Sequence, residues 1–120
     1  MTWIKVEQSL RSHRKTMALA ESLDMPEIYA MSHVIALWMW AVDNAPDGKL
    51  PESDRQIAKA AGWEGVPRLF VEAMIFAGFI DDDYMGTREI HDWEYWSGAF
   101  AHKREVDRKR QQRHRSRNKE

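Results

Sequence analysis

The stretch PRLFVEAMIFAGFIDDDYMGTREIHDW, residues 67–93, decides the fold class of this chain. Pro67 suits a first helical turn, where the N–H that proline lacks would have no helical partner. Phe70, Ala73, Met74 and Ala77 then recur at helical spacing, and Gly78 suits the left-handed residue that ends many helices. Phe79-Ile80, the three aspartates, Tyr84-Met85-Gly86 and residues 87–93 read as two short strands joined by a turn, the second strand ending at Trp93. The prediction is a helix that runs directly into a hairpin.

Upstream, Ser53 and Gln56 form a capping-box pattern, so a helix is expected over 54–61, ended by Gly62. It meets the 67–77 helix across the tight turn Trp63-Glu64-Gly65. Before it, Asn44-Ala-Pro-Asp-Gly48 is a cluster of turn formers, and Lys49-Leu50 has room only for a very short strand ahead of Pro51. Residues 27–42 put Ile28, Met31, Ile35, Trp38 and Val42 on one stripe, and Val34, Leu37 and Met39 widen it past half the circumference. That pattern predicts a central, buried helix. A further helix over 12–23 turns Thr16, Leu19, Ala20 and Leu23 inward. The whole order is mainly α with a small β-hairpin, a winged helix-turn-helix. One domain is expected over residues 1–97, with Asp92 placed to cap a last helix that grades into a tail, residues 98–120.

At 120 residues and 43% hydrophobic, the chain has the means for one core. With no cysteine, disulfides and thiolate zinc sites are excluded. No basic-then-apolar leader opens the sequence and no apolar run reaches membrane-spanning length, so a cytoplasmic protein is expected. The net charge of −1 conceals a divided chain. Residues 103–120 hold nine Lys or Arg against three acids, a balance of +6, which leaves nine cations against sixteen acids in residues 1–102, a balance of −7. The cations are Lys103, Arg104, Arg108, Lys109, Arg110, Arg113, Arg115, Arg117 and Lys119. Such a division marks either an arm for nucleic acid or another polyanion, or a solubilising tail. Beyond Val106 no apolar residue remains, so disorder, or helix formed on binding, is expected there.

Trp3-Ile4-Lys5-Val6, His13 with Lys15, Leu37-Trp38-Met39-Trp40-Ala41, Asp47-Gly48-Lys49-Leu50, Ile57-Ala58, Gly78-Phe79-Ile80-Asp81 and Ile90-His91-Asp92-Trp93 form an ordered series. The series resembles the N-terminal domains of phage and prophage replication initiators, also called replisome organisers. It covers residues 2–96. The resemblance implies a winged helix that binds origin duplex DNA in the bacterial host cytoplasm, in proteins whose C-terminal part recruits helicase or its loader.

In a helix-turn-helix protein the second helix lies in the major groove and its N-terminal side chains reach base edges. Here that is the 67–77 helix, with Arg68 as its first polar side chain and the backbone at Gly65 or Val66 as a phosphate donor. Arg55 and Lys59, four apart on the preceding helix, are placed either to flank the DNA backbone or to remain a solvated pair, and Arg88 is the only cation of the wing. The three aspartates oppose a wing that enters the minor groove, and they lack the loop of ligands that a calcium site needs. The rest of the presumed recognition helix is expected to turn Val71, Glu72 and Ile75 outward. Such a face belongs more to a protein contact, so the alternative is a protein-interaction or homodimerisation module. An acidic body is also suited to mimic DNA.

Trp38, Trp40, Trp63, Trp93 and Trp96 read as core rather than as base-stacking platforms, with Tyr95 and Trp96 the more exposed pair. The five histidines lack metal-ligand or catalytic spacing. No phosphate-binding glycine loop, nucleophile elbow or metal motif is present, so neither an enzyme nor a cofactor is expected.

Overall fold

The computed structural model describes residues 3–97. Over these the chain is mainly helical with one small antiparallel sheet. A 3-10 turn, Gln8–Ser12, leads into α1, Arg14–Leu23. Helix α1 starts two residues later than expected, because the His13 ring accepts a hydrogen bond from the Lys15 N–H (3.1 Å) and serves as its cap. Thr16, Leu19 and Ala20 turn inward as their spacing predicts. Thr16, fully buried, donates its hydroxyl to the Leu10 carbonyl at 2.6 Å, so its one polar group is satisfied.

Helix α2, Glu27–Asn44, supplies Ala30, Val34, Leu37, Trp38 and Ala41 to the core. This corrects the sequence-based stripe: Ile28 is 45% exposed and Met39 59%, while Met31, Ile35 and Val42 are only half-buried. The helix is apolar on nearly every side, so the apolar pattern alone does not say which side meets the domain. Small residues decide it, since Ala30 and Ala41 admit close approach by the neighbouring elements.

Helix α3, Asp54–Ala60, is capped by Ser53, whose hydroxyl accepts from the Gln56 N–H (3.4 Å). Helix α4, Pro67–Ala77, ends on Gly78 at φ +92°, where the Gly78 N–H closes onto the Met74 and Ile75 carbonyls. Strand β1, Ile80–Asp82, pairs antiparallel with β2, Arg88–Ile90, in the register Ile80 to Ile90 and Asp82 to Arg88. The Lys49-Leu50 segment adds a single bridge, Lys49 to Glu89, flanked by bonds from Leu50 N–H to the Arg88 carbonyl and from Ile90 N–H to the Gly48 carbonyl. Gly48, at φ +79°, presses on Trp93: a Cβ there would lie 2.7 Å from the indole.

Trp93 does not end a strand. It opens the single-turn helix α5, Trp93–Trp96, with its indole N–H donated to the Pro46 carbonyl at 2.8 Å. Asp92 occupies the cap position in a left-handed conformation, yet its side chain makes no capping bond. Trp96 stacks on Trp38 with centroids 4.5 Å apart, so of the Tyr95–Trp96 pair only Tyr95 is exposed. The Lys5 N–H bonds to the Trp96 carbonyl, fastening the N-terminal segment to α5. None of the helices among the described residues is long and apolar enough to cross a membrane. The expected tail lies outside the described residues, apart from its boundary at Ser97.

Candidate nucleic-acid interface

The corner between α3 and α4 is built on aromatic packing. Trp63 stacks on Phe70 of α4 (5.6 Å between centroids), and the His33 ring of α2 meets both edge-on while its Nδ1 lies 2.7 Å from the Ala61 carbonyl. The Trp63 indole N–H bonds the Val66 carbonyl at 3.0 Å, which fixes the turn just before α4 begins. Gly65 sits so near this indole that a Cβ would lie 2.7 Å from it. The turn that joins the helices is therefore rigidly specified by Trp63.

On the outer surface of this corner, Arg55, Lys59, Gly62, Glu64, Gly65 and Pro67 line a shallow depression. Arg55 and Lys59 are both exposed, and among the described residues neither makes an ion pair. No side chain caps the start of α4; Pro67 has no N–H and the Leu69 N–H bonds the Val66 carbonyl, which leaves the Arg68 N–H for solvent or an anion. Glu64 is the one acid in the lining.

The other two body cations expected at DNA are engaged differently. Arg68 is highly exposed and donates to Glu72 one turn on, at 2.8 Å. This pair raises the Arg68 pKa and leaves the guanidinium fully charged. Because both side chains are in water, the pair is weak and exchangeable. Arg88 is a correction: its side chain is mostly covered and bound to Asp54 at the start of α3, so it ties the hairpin to the helix instead of reaching outward.

The three aspartates are the hairpin's own scaffold. Asp83 accepts N–H bonds from Met85 (2.8 Å) and Thr87 (3.0 Å), Asp82 accepts from Tyr84 (3.1 Å), and Asp81 meets the His91 ring at 3.0 Å. These backbone N–H groups hold the Asp83 carboxyl below its usual pKa. Among the described residues no group of His, Asp or Glu is placed to hold a metal ion. Beside the hairpin, Asp47, Asp81, Glu89, Asp92 and Glu94 surround an acidic depression, so that side repels phosphate.

Helix α4 also corrects the sequence reading. Val71 is fully buried and Ile75 half-buried; the apolar side chains that face water are Leu69 (56% exposed) and Phe76 (81%), with Val66 (58%) just ahead of the helix. Leu69 and Phe76 are seven apart on one flank of the helix, about 90–110° from the centre of the inward face set by Phe70, Ala73, Met74 and Ala77; Val71 lies on the other flank and is buried, so the spacing alone does not say which flank faces water. Tyr84 and Met85, which the sequence presents only as turn residues, are each 89% exposed at the hairpin tip.

Comparison with family models, curated proteins and solved structures finds no match to this chain. The corner therefore has to be read from its own chemistry. Lys103, Arg104, Arg108, Lys109, Arg110, Arg113, Arg115 and Arg117 lie outside the described residues, and their part in the interface rests on sequence alone.

Proposed function

We propose that this chain is a winged helix-turn-helix module that binds duplex DNA through phosphate contacts at the α3–α4 corner and through its basic segment, residues 103–119. The observation that carries the reading is the pair Arg55 and Lys59: two exposed cations with no ion-pair partner among the described residues, one helical turn apart, beside the uncapped start of α4. In a body with a balance of −7, these two cations stand at the α3–α4 corner with one acid, Glu64, in the lining. The hairpin then plays the part of the wing, positioned by Arg88 and Asp54. Arg68 stands at the second position of α4, where a groove-bound helix presents its first side chains. Leaving Glu72 for a guanine edge or a phosphate costs it little.

The resemblance to phage replication initiators makes origin DNA the proposed target and a helicase or its loader the proposed protein partner, in the host cytoplasm. No catalytic role enters the proposal. Binding of the full chain and of a chain ending at Ala101 to origin and random duplex, over a salt series, tests it. If about six tail cations neutralise phosphates, full-chain affinity falls about a thousandfold or more between roughly 50 and 200 mM salt, and the shorter chain has the shallower slope. Equal slopes remove the tail from the mechanism, and no binding by either chain refutes the reading.

One observation favours a second reading. Val66, Leu69 and Phe76 form an exposed apolar face on and before α4, which suits a protein partner better than a DNA groove. Under that reading Phe76→Ser abolishes partner capture while duplex affinity stays unchanged.

A further inference from the structure

We infer that the outer face of α2 is the interface through which two copies of this chain pair. Between Glu27 and Asp43 the helix has fifteen residues without one Asp, Glu, Lys or Arg. A helix that is apolar all round is normally covered all round. Here one side is covered by the domain and the other, among the described residues, is open. Ile28, Met31, Ile35, Met39 and Val42 fall within an arc of about 80° on the turn of an α-helix, and all five are exposed or half-buried. Ser32, beside them, returns its hydroxyl to the Ile28 carbonyl at 2.7 Å, so it brings no unmet polar group to a contact.

The stripe is self-complementary, which a twofold interface requires. With two antiparallel α2 helices and the axis at Ile35, Ile28 meets Val42 of the second copy, Met31 meets Met39, and Ile35 meets its own equivalent. Every facing pair is apolar. Two bodies each at −7 repel, and the uncharged stripe is the face on which that repulsion costs least. With Tyr29 (60% exposed) at its edge, the face loses on the order of 1,000 Å² in total when two copies bury it, just below the roughly 1,200–2,000 Å² of stable specific interfaces. The pairing is accordingly a weak one. His33, on another side of α2, is engaged with Ala61 and the corner aromatics, so pairing through the Ile35 stripe leaves Arg55 and Lys59 open. A dimer would present two such corners.

Sedimentation velocity of the full chain from about 1 to 200 µM tests the inference. Expected is a concentration-dependent dimer that Ile35→Glu reduces to monomer and that Phe76→Glu leaves intact, with circular dichroism confirming that both variants fold. Because the chain has no cysteine, Ile35→Cys gives a second reading that does not depend on a disruptive charge. Under mild oxidation it yields a covalent dimer, whereas Phe76→Cys stays monomeric. A monomer throughout the range, a dimer that survives Ile35→Glu, or one lost with Phe76→Glu overturns the assignment.

Discussion

The α3–α4 corner and the hairpin both carry charged side chains and use them in opposite ways. At the corner, Arg55 and Lys59 are left without ion-pair partners among the described residues, and the shape is held by Trp63, Phe70 and His33. In the hairpin, Arg88 is spent on Asp54, and Asp82 and Asp83 on the backbone of the turn. The lesson is that a cation counts toward recognition only after its intramolecular partners are known. Aromatic packing at the corner sets the geometry without consuming charge, which leaves charge for a ligand.

The comparison is broken most severely by Phe70→Ala. This change removes a fully buried ring on which Trp63 stacks, and it lowers unfolding free energy by about 3–5 kcal/mol in denaturant titration. Smaller, and confined to the hairpin side, is Gly48→Ala. It forces a side chain at positive φ against Trp93 and costs upwards of about 1 kcal/mol in the same titration. Arg88→Ala sharpens the contrast: it unties the hairpin from α3 and lowers stability by about 1 kcal/mol, while duplex affinity holds. An affinity loss as large as that of Arg55→Ala would erase the distinction.

The smallest effect is on pH. Asp83 has a lowered pKa in the folded chain, so the folded state prefers it ionised. Its contribution is present above the ordinary aspartate pKa and fades as pH falls through the lower folded value. Asp83→Asn therefore flattens the acid limb of the melting temperature against pH, and an unchanged limb would deny the turn its role.

Much of this fold is legible in the residues because the deciding signals are local. Pro67 and Gly78 bracket α4, Ser53 starts α3, and the Asp-rich turn sets the hairpin. What stays hidden depends on which elements meet. The apolar character of α2 is plain in the sequence, but only the packed domain shows that Ala30, Val34 and Ala41 lead the buried side and Ile28 and Met39 the open one. Trp93 reads as a strand end until its indole N–H finds the Pro46 carbonyl, 47 residues away. Arg88 looks available until Asp54, 34 residues upstream, comes beside it. At the site, the sequence names Arg55 and Lys59 correctly as neighbours on one helix; that they lack ion-pair partners among the described residues is seen only in the fold.

The central claim is tested most directly by fluorescence anisotropy of a labelled duplex with the full chain at about 50 mM salt, comparing Arg55→Ala/Lys59→Ala with Arg88→Ala. The corner reading predicts a loss of roughly tenfold or more for the first, a log–log salt slope shallower by about two, and near-parental affinity for the second. Unchanged affinity and slope in the Arg55→Ala/Lys59→Ala chain would contradict it and leave the body without a role in DNA contact.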